Sequence, residues 1–174
     1  SPPSVYICGY TASSNFPIVV NSYDLTFNGS NDIFFVKMDS CLTNMLGSTY
    51  YGGINDDRAY AMILVNNYRE IFAVGFAQDN FPTSDDAYSQ YYAGNISDCV
   101  VVKFGSALAY GGERWSYYWY APQDYFGSPS LGMDGSIYIP CGSNLFALSS
   151  GGKLLWTYKD TTNNLFLDDS IYLY

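Results

Sequence analysis

Three adjacent carboxylate pairs, Asp56-Asp57, Asp85-Asp86 and Asp168-Asp169, are the side chains of this sequence best suited to acid–base chemistry. Such chemistry needs two carboxyl groups converging on one point with separated pKa values. All three pairs fall between runs that read as strands, where Asp ordinarily caps turns by accepting backbone N–H groups. The same oxygens suit calcium, and Asn55, Asp56 and Asp57 form the best candidate cluster, although the spacing of a calcium-binding loop is absent. The sequence contains no His. That removes the commonest general base, so neither a Ser-His-Asp nor a Cys-His arrangement can be drawn from it, and no catalytic residue or cofactor is expected.

Cys8, Cys41, Cys99 and Cys141 never fall in a Cys-x-x-Cys pair, and without His a zinc or haem site lacks its usual nitrogen ligand. Disulfides or buried thiols are the expectation for these residues, with the pairing left open. Asn28-Gly29-Ser30 and Asn95-Ile96-Ser97 fit the acceptor triplet for N-glycosylation, which matters in a secreted protein. Trp115 and Trp156 have the flat rings of a ligand-stacking pair, but they hold equivalent repeat positions, and such positions more often pack between sheets. The run from Trp115 to Tyr120 puts aromatic side chains on both faces of one strand. It reads as a strand buried on both sides, or as an exposed sugar or protein contact.

The elements that must position these residues are strands. Aromatic residues make up 19% of the chain against 13% charged, and flat rings suit a pleated, half-buried surface. The formal charge is −9 and the seven Lys and Arg are scattered singly, so no positive field is available for phosphates and nucleic acid is not an expected partner. No stretch approaches the roughly 20 apolar residues that cross a bilayer, and no basic-then-apolar leader opens the chain. The first residues, Ser1-Pro2-Pro3, are read as following a removed leader or as starting inside a longer chain.

The sequence repeats. Val5-Tyr6-Ile7-Cys8-Gly9-Tyr10 aligns with Ile71-Phe72-Ala73-Val74-Gly75-Phe76, and Tyr6, Phe72 and Tyr138 follow one another at steps of 66 residues. Asn15-Phe16-Pro17 matches Asn80-Phe81-Pro82, and Asp32 to Lys37 matches Asp98 to Lys103. A shorter register follows: Gly111-Gly112 through Tyr117 resembles Gly151-Gly152 through Tyr158, with Trp115 and Trp156 separated by 41 residues. Short runs rich in Val, Ile, Phe, Tyr and Trp, bounded by Gly, Asn, Asp and Ser, place strands near 4–10, 32–39, 45–52, 59–66, 70–77, 98–105, 114–121, 128–133, 136–141, 144–149, 154–159 and 170–174. Asn66-Asn67, Asp134-Gly135 and Gly151-Gly152 suit tight hairpins.

Across 4–105 the sequence resembles the bacterial β-propeller repeat family of large surface and secreted proteins, through Val5 to Thr11, Asn15-Phe16-Pro17, Asp32 to Lys37 and Thr49-Tyr50-Tyr51-Gly52-Gly53. From about 111 onward it is similar to the pyrroloquinoline-quinone-type propeller repeat, through Asp134-Gly135-Ser136-Ile137-Tyr138, Leu145-Phe146-Ala147-Leu148 and Gly152-Lys153-Leu154-Leu155-Trp156. That repeat occurs in quinoprotein dehydrogenases and in non-catalytic scaffolds, so the resemblance implies a fold rather than an activity. Quinone binding would need a closed eight-bladed ring, charged contacts from several blades and a calcium ion, none of which can be identified in this sequence.

The expectation is an all-β chain of about three four-stranded antiparallel propeller blades, part of a larger propeller. Blade 1 covers about 4–53, blade 2 about 59–121 and blade 3 about 128–160, with the start of a fourth at about 165–174. The expected role is a non-enzymatic extracellular or cell-surface binding or structural module, with a protein or glycan partner and self-association through open blade edges. The alternatives are a fragment of a quinoprotein-type oxidoreductase and a subunit of an extracellular filament or sheath.

Overall fold

The computed structural model describes residues 3–65, 70–85, 89–92, 94, 97–108, 114–119 and 127–159, with the backbone alone described for 114–119. Among them are eleven strands and no helix. No helix long and apolar enough to cross a membrane is therefore present among the described residues.

The strands form three antiparallel sheets, each in simple sequence order. The first contains β1 (Ser4–Thr11), β2 (Asp32–Asp39) and β3 (Met45–Tyr51). The middle one contains β4 (Arg58–Val65), β5 (Glu70–Ala77), β6 (Asp98–Gly105) and β7 (Arg114–Trp119). The third contains β8 (Ser130–Leu131), β9 (Ile137–Cys141), β10 (Asn144–Leu148) and β11 (Leu154–Lys159). The expected strand at 170–174, the fourth-blade start at 165–174 and the turn at Asn66-Asn67 lie outside the described residues.

β6 explains why the sheets stack. Its Cys-Val-Val-Val run is β-branched and continuously apolar, the pattern of a strand covered on both faces. Cys99 and Val101 face one core, shared with Phe72 and Val74 of β5 and with Ile137, Ile139, Phe146 and Leu148 of the third sheet. Val100, Val102 and Phe104 face the other, shared with Ile71 and Ala73 and with Ile33, Phe35 and Tyr51 of the first sheet. Burying each such side chain is worth about 1.5–3 kcal/mol, whereas a lone small sheet is marginal in water, so the stability of this array lies between its sheets.

β4 keeps its faces in register through an irregularity. Ala59 pairs with Gly75 and Ala61 with Val74, leaving Tyr60 as the extra residue of a β-bulge. Ala59 therefore faces the first sheet while Ala61, Ile63 and Val65 face the third. Gly75 permits the bulge: a Cβ there would overlap the Arg58 carbonyl and lie 2.9 Å from the Ala59 Cα.

The 66-residue offset is a step from one sheet to the next. Tyr6 is paired across the ladder with Lys37, whose Nζ lies 5.4 Å from the ring centroid; Phe72 is paired with Lys103 in the same way at 5.7 Å. Tyr6 packs towards the middle sheet and Phe72 towards the third. Tyr138 comes next in the series and stacks on Trp156, with centroids 5.8 Å apart, on the outward face of the third sheet. The hairpins at Asp134-Gly135 and Gly151-Gly152 form as the turn residues indicate, with φ of +83° at Gly135 and +87° at Gly152.

Candidate functional site

The end of β1, the start of β2, the end of β3, the start of β4 and the end of β5 all lie at one end of the first two sheets, because Thr11 pairs with Asp32, Ile33 with Tyr51 and Arg58 with Phe76. That end brings together Asp32, Asp56, Asp57 and Arg58 with Tyr10, Tyr60 and Phe76. Inside it, Asp32 and Asp57 are both fully buried. Asp32 accepts hydrogen bonds from the N–H groups of Asn28 (2.9 Å) and Gly29 (3.0 Å), pinning the loop before β2. Asp57 accepts from the N–H groups of Gly53 (2.6 Å) and Gln78 (3.2 Å), tying the turn before β4 to the end of β5. The two carboxyls lean on Gly52, where a Cβ would lie 3.0 Å from an oxygen of each. Only a residue without a side chain fits between them.

Burial pushes the Asp57 carboxyl up to about 7, helped by the neighbouring charges of Asp32 and Asp56 and opposed by its two N–H donors. Asp32 is raised as well, by burial first and then by Asp24, while its own N–H donors pull it back. With no exposed surface on either group, the two carboxyls hold loops and present nothing to a substrate.

On the outside of the same end stands a half-exposed rim. The Arg58 guanidinium makes a two-pronged contact with Asp56, Nε to Oδ1 at 2.9 Å and Nη2 to Oδ2 at 2.8 Å. Asn31 Nδ2 donates to the same Oδ1 at 2.8 Å. Held this way, the guanidinium lies 4.6 Å from the Tyr10 ring centroid and 5.3 Å from that of Phe76. Tyr60, pushed out by the bulge, meets Tyr10 edge-on at 6.1 Å and Phe76 at 5.8 Å. Tyr10 is 44% exposed and Tyr60 47%. Burial raises the Tyr60 hydroxyl above its ordinary value, with the Arg58 hydrogen bond pulling it partly back; Asp56 in turn raises Arg58, chiefly through its hydrogen bond.

The three residues named for calcium do not converge. Asp56 is committed to Arg58 and Asn31, Asp57 to backbone donors inside the core, and the Asn55 side chain donates to the Asp79 carbonyl at 2.8 Å. No group of three or more metal-ligating His, Cys, Asp or Glu side chains occurs among the described residues. Asn28 of the first glycosylation triplet is exposed, whereas Asn95 lies outside the described residues. All four cysteines are free thiols, so the expected disulfides are not formed in this structure. Cys8 faces Phe35 and Ser4 faces Asp39, which puts Cys41 at least four strand steps, or about 13 Å, from Cys8, beyond disulfide reach. Cys99 and Cys141 instead meet in the core between the middle and third sheets, thiol to thiol.

Trp156 is 43% exposed on an outward face rather than packed between sheets, and of Trp115 only the strand backbone is described. Asp86, Asp168 and Asp169 are outside the described residues. The rim of Tyr10, Arg58 and Tyr60 was not indicated by any motif. Its one signal is the Arg-x-Tyr spacing at a strand start beside Asp56, which alternation alone places in the ladder rather than on a bulge.

Comparison with protein-family models gives no match, and comparison with curated proteins gives none either.

Proposed function

We propose that this chain is a non-enzymatic extracellular binding module made of stacked, propeller-type sheets, and that it contacts a glycan through Tyr10, Arg58 and Tyr60. The observation that carries the reading is the rim itself: two half-exposed tyrosines set around a guanidinium that Asp56 and Asn31 hold in place. A tyrosine offers a sugar ring an apolar face together with a polar tip, at small cost in side-chain freedom. Arg58, Asp56 and Asn31 supply donors and acceptors for hydroxyls beside it. Because the groups are already fixed to one another, little ordering is needed on binding. The exposed Asn28 triplet fits an extracellular setting, since an oligosaccharide there meets no packed surface.

Affinity electrophoresis through gels containing soluble neutral or acidic polysaccharides tests this. The native chain should be retarded by at least one of them, and Tyr10→Ala and Tyr60→Ala should each weaken binding about tenfold with an unchanged melting temperature. Free migration of the native chain through every polysaccharide removes the glycan reading, as does equal retardation of both variants.

A further inference from the structure

The outward face of the first sheet repeats the face by which the middle sheet receives its predecessor. Val5 and Ile7 stand 66 residues before Ile71 and Ala73. Ile71 and Ala73 are sealed against the first sheet, whereas Val5 and Ile7 are exposed, Ile7 at 43%. The Asn-Phe-Pro loops differ in the same sense. Phe81 is buried edge-on beneath Tyr51, 5.2 Å between centroids, and the Tyr51 hydroxyl donates to the Pro82 carbonyl at 2.6 Å. Phe16, its counterpart, packs on Phe34 and Tyr50 of its own sheet and stays half-buried, with Pro17 exposed.

The complementary face is on the third sheet. Tyr138 stands where Tyr6 stands, and the strand pairings then place Leu145 and Tyr158 where Phe35 and Thr49 stand, so this face is the counterpart of the one that the first sheet turns to the middle sheet. Tyr158 lies on the side of β10 opposite Phe146 and Leu148, and it is 54% exposed. Trp156, stacked on Tyr138, is exposed beside it.

We infer that a second copy of this chain docks head to tail, the outward face of its third sheet lying on the outward face of the first sheet of its neighbour. Tyr138 and Leu145 of one copy take up, over Val5 and Ile7 of the next, the position that Tyr6 and Phe35 take in the core they share with Ile71 and Ala73, with Tyr158 and Trp156 beside them. The contact continues the interface already formed twice within the chain. The two faces are different surfaces, so the association is heterologous and either closes into a ring or extends as a filament. It rests on the observed stacking and not on glycan binding; a monomer retarded by polysaccharide would keep that role and remove this assembly.

Native mass spectrometry and sedimentation of the full chain test it, with Ile7→Lys blocking the head and Tyr158→Lys the tail. The native chain should form species larger than the monomer, each variant alone should be monomeric with a cooperative unfolding transition, and an equimolar mixture of the two should give a heterodimer and nothing larger. Should either variant fail to fold, Val5→Lys and Trp156→Lys replace them. A native chain that stays monomeric up to its solubility limit overturns the inference, and so does an oligomer that survives Ile7→Lys.

Discussion

Asp57 sits where opposing effects meet and burial prevails. Its two N–H donors favour the carboxylate, and burial beside Asp32 and Asp56 favours the acid more strongly, leaving it near 7 against an ordinary 3.8. A folded-state pKa above the unfolded one means that the folded chain holds the proton more tightly. The resulting stability is fully present below about pH 4 and is lost as pH rises through about 7, a change of roughly 2–4 kcal/mol. Asp57→Asn cannot titrate and gives up one acceptor, so it should be weaker than the native chain by about 1–3 kcal/mol at low pH, with the gap narrowing as pH rises. Urea midpoints measured across this range check it; parallel curves for the two proteins would show that Asp57 does not titrate there. The cysteines separate in a similar way. Cys41 is exposed, Cys8 is half-buried with burial pushing its thiol up to about 11, and Cys99 and Cys141 are enclosed, burial raising Cys99 well above the ordinary thiol. A thiol reagent should therefore label Cys41 rapidly, Cys8 slowly, and the other two only on unfolding. Peptide mapping of label against time reads this order directly, and labelling of Cys99 as fast as Cys41 contradicts it.

At the scale of elements, two glycines in equivalent repeat positions have different reasons to be glycine. Gly75 lies against backbone, the Arg58 carbonyl and the Ala59 Cα of the bulge, neither of which can move without breaking the ladder. Gly9 lies under the Phe34 ring, whose outer atoms would be 2.9 Å from a Cβ and can swing aside. Gly75→Ala should cost about 1–3 kcal/mol and Gly9→Ala less than about 1 kcal/mol, read as shifts in urea midpoint. The strands themselves were legible because their runs are rich in β-branched and aromatic side chains: β2, β5, β6 and β11 occupy the residues that turn signals bound, 32–39, 70–77, 98–105 and 154–159. β8 was not. Of the expected 128–133 only Ser130–Leu131 pairs, because the Gly132 N–H turns to the Ser136 carbonyl and Asp134 caps Ser136, closing a tight turn before β9. The rim was hidden for a related reason. A bulge at Tyr60 shifts one residue out of alternation, and the Asp32–Asp57 pair joins positions 25 residues apart that meet only once the Gly52-Gly53 turn is folded.

For the molecule as a whole, the middle sheet decides how the parts depend on one another. Val100 and Val101 are neighbours in one strand, both fully buried, yet Val100 belongs to the core shared with the first sheet and Val101 to the core shared with the third. An ordinary two-layer arrangement would leave one of them facing solvent, and a hydroxyl there would cost almost nothing. Stacking on both faces makes the two positions equivalent: Val100→Thr and Val101→Thr should each destabilise by about 1–3 kcal/mol, since each buries a hydroxyl in an apolar contact. Ile7→Thr, on the exposed face of the first sheet, should change the stability of the monomer by less than about 0.5 kcal/mol. In a stack whose sheets gain their stability from neighbours, the middle sheet cannot unfold without exposing both cores, so both valine variants should keep a single unfolding transition seen identically by fluorescence and circular dichroism. A second transition in Val100→Thr alone would mean that the first sheet melts away from the other two, and that the two interfaces are not coupled through the strand they share.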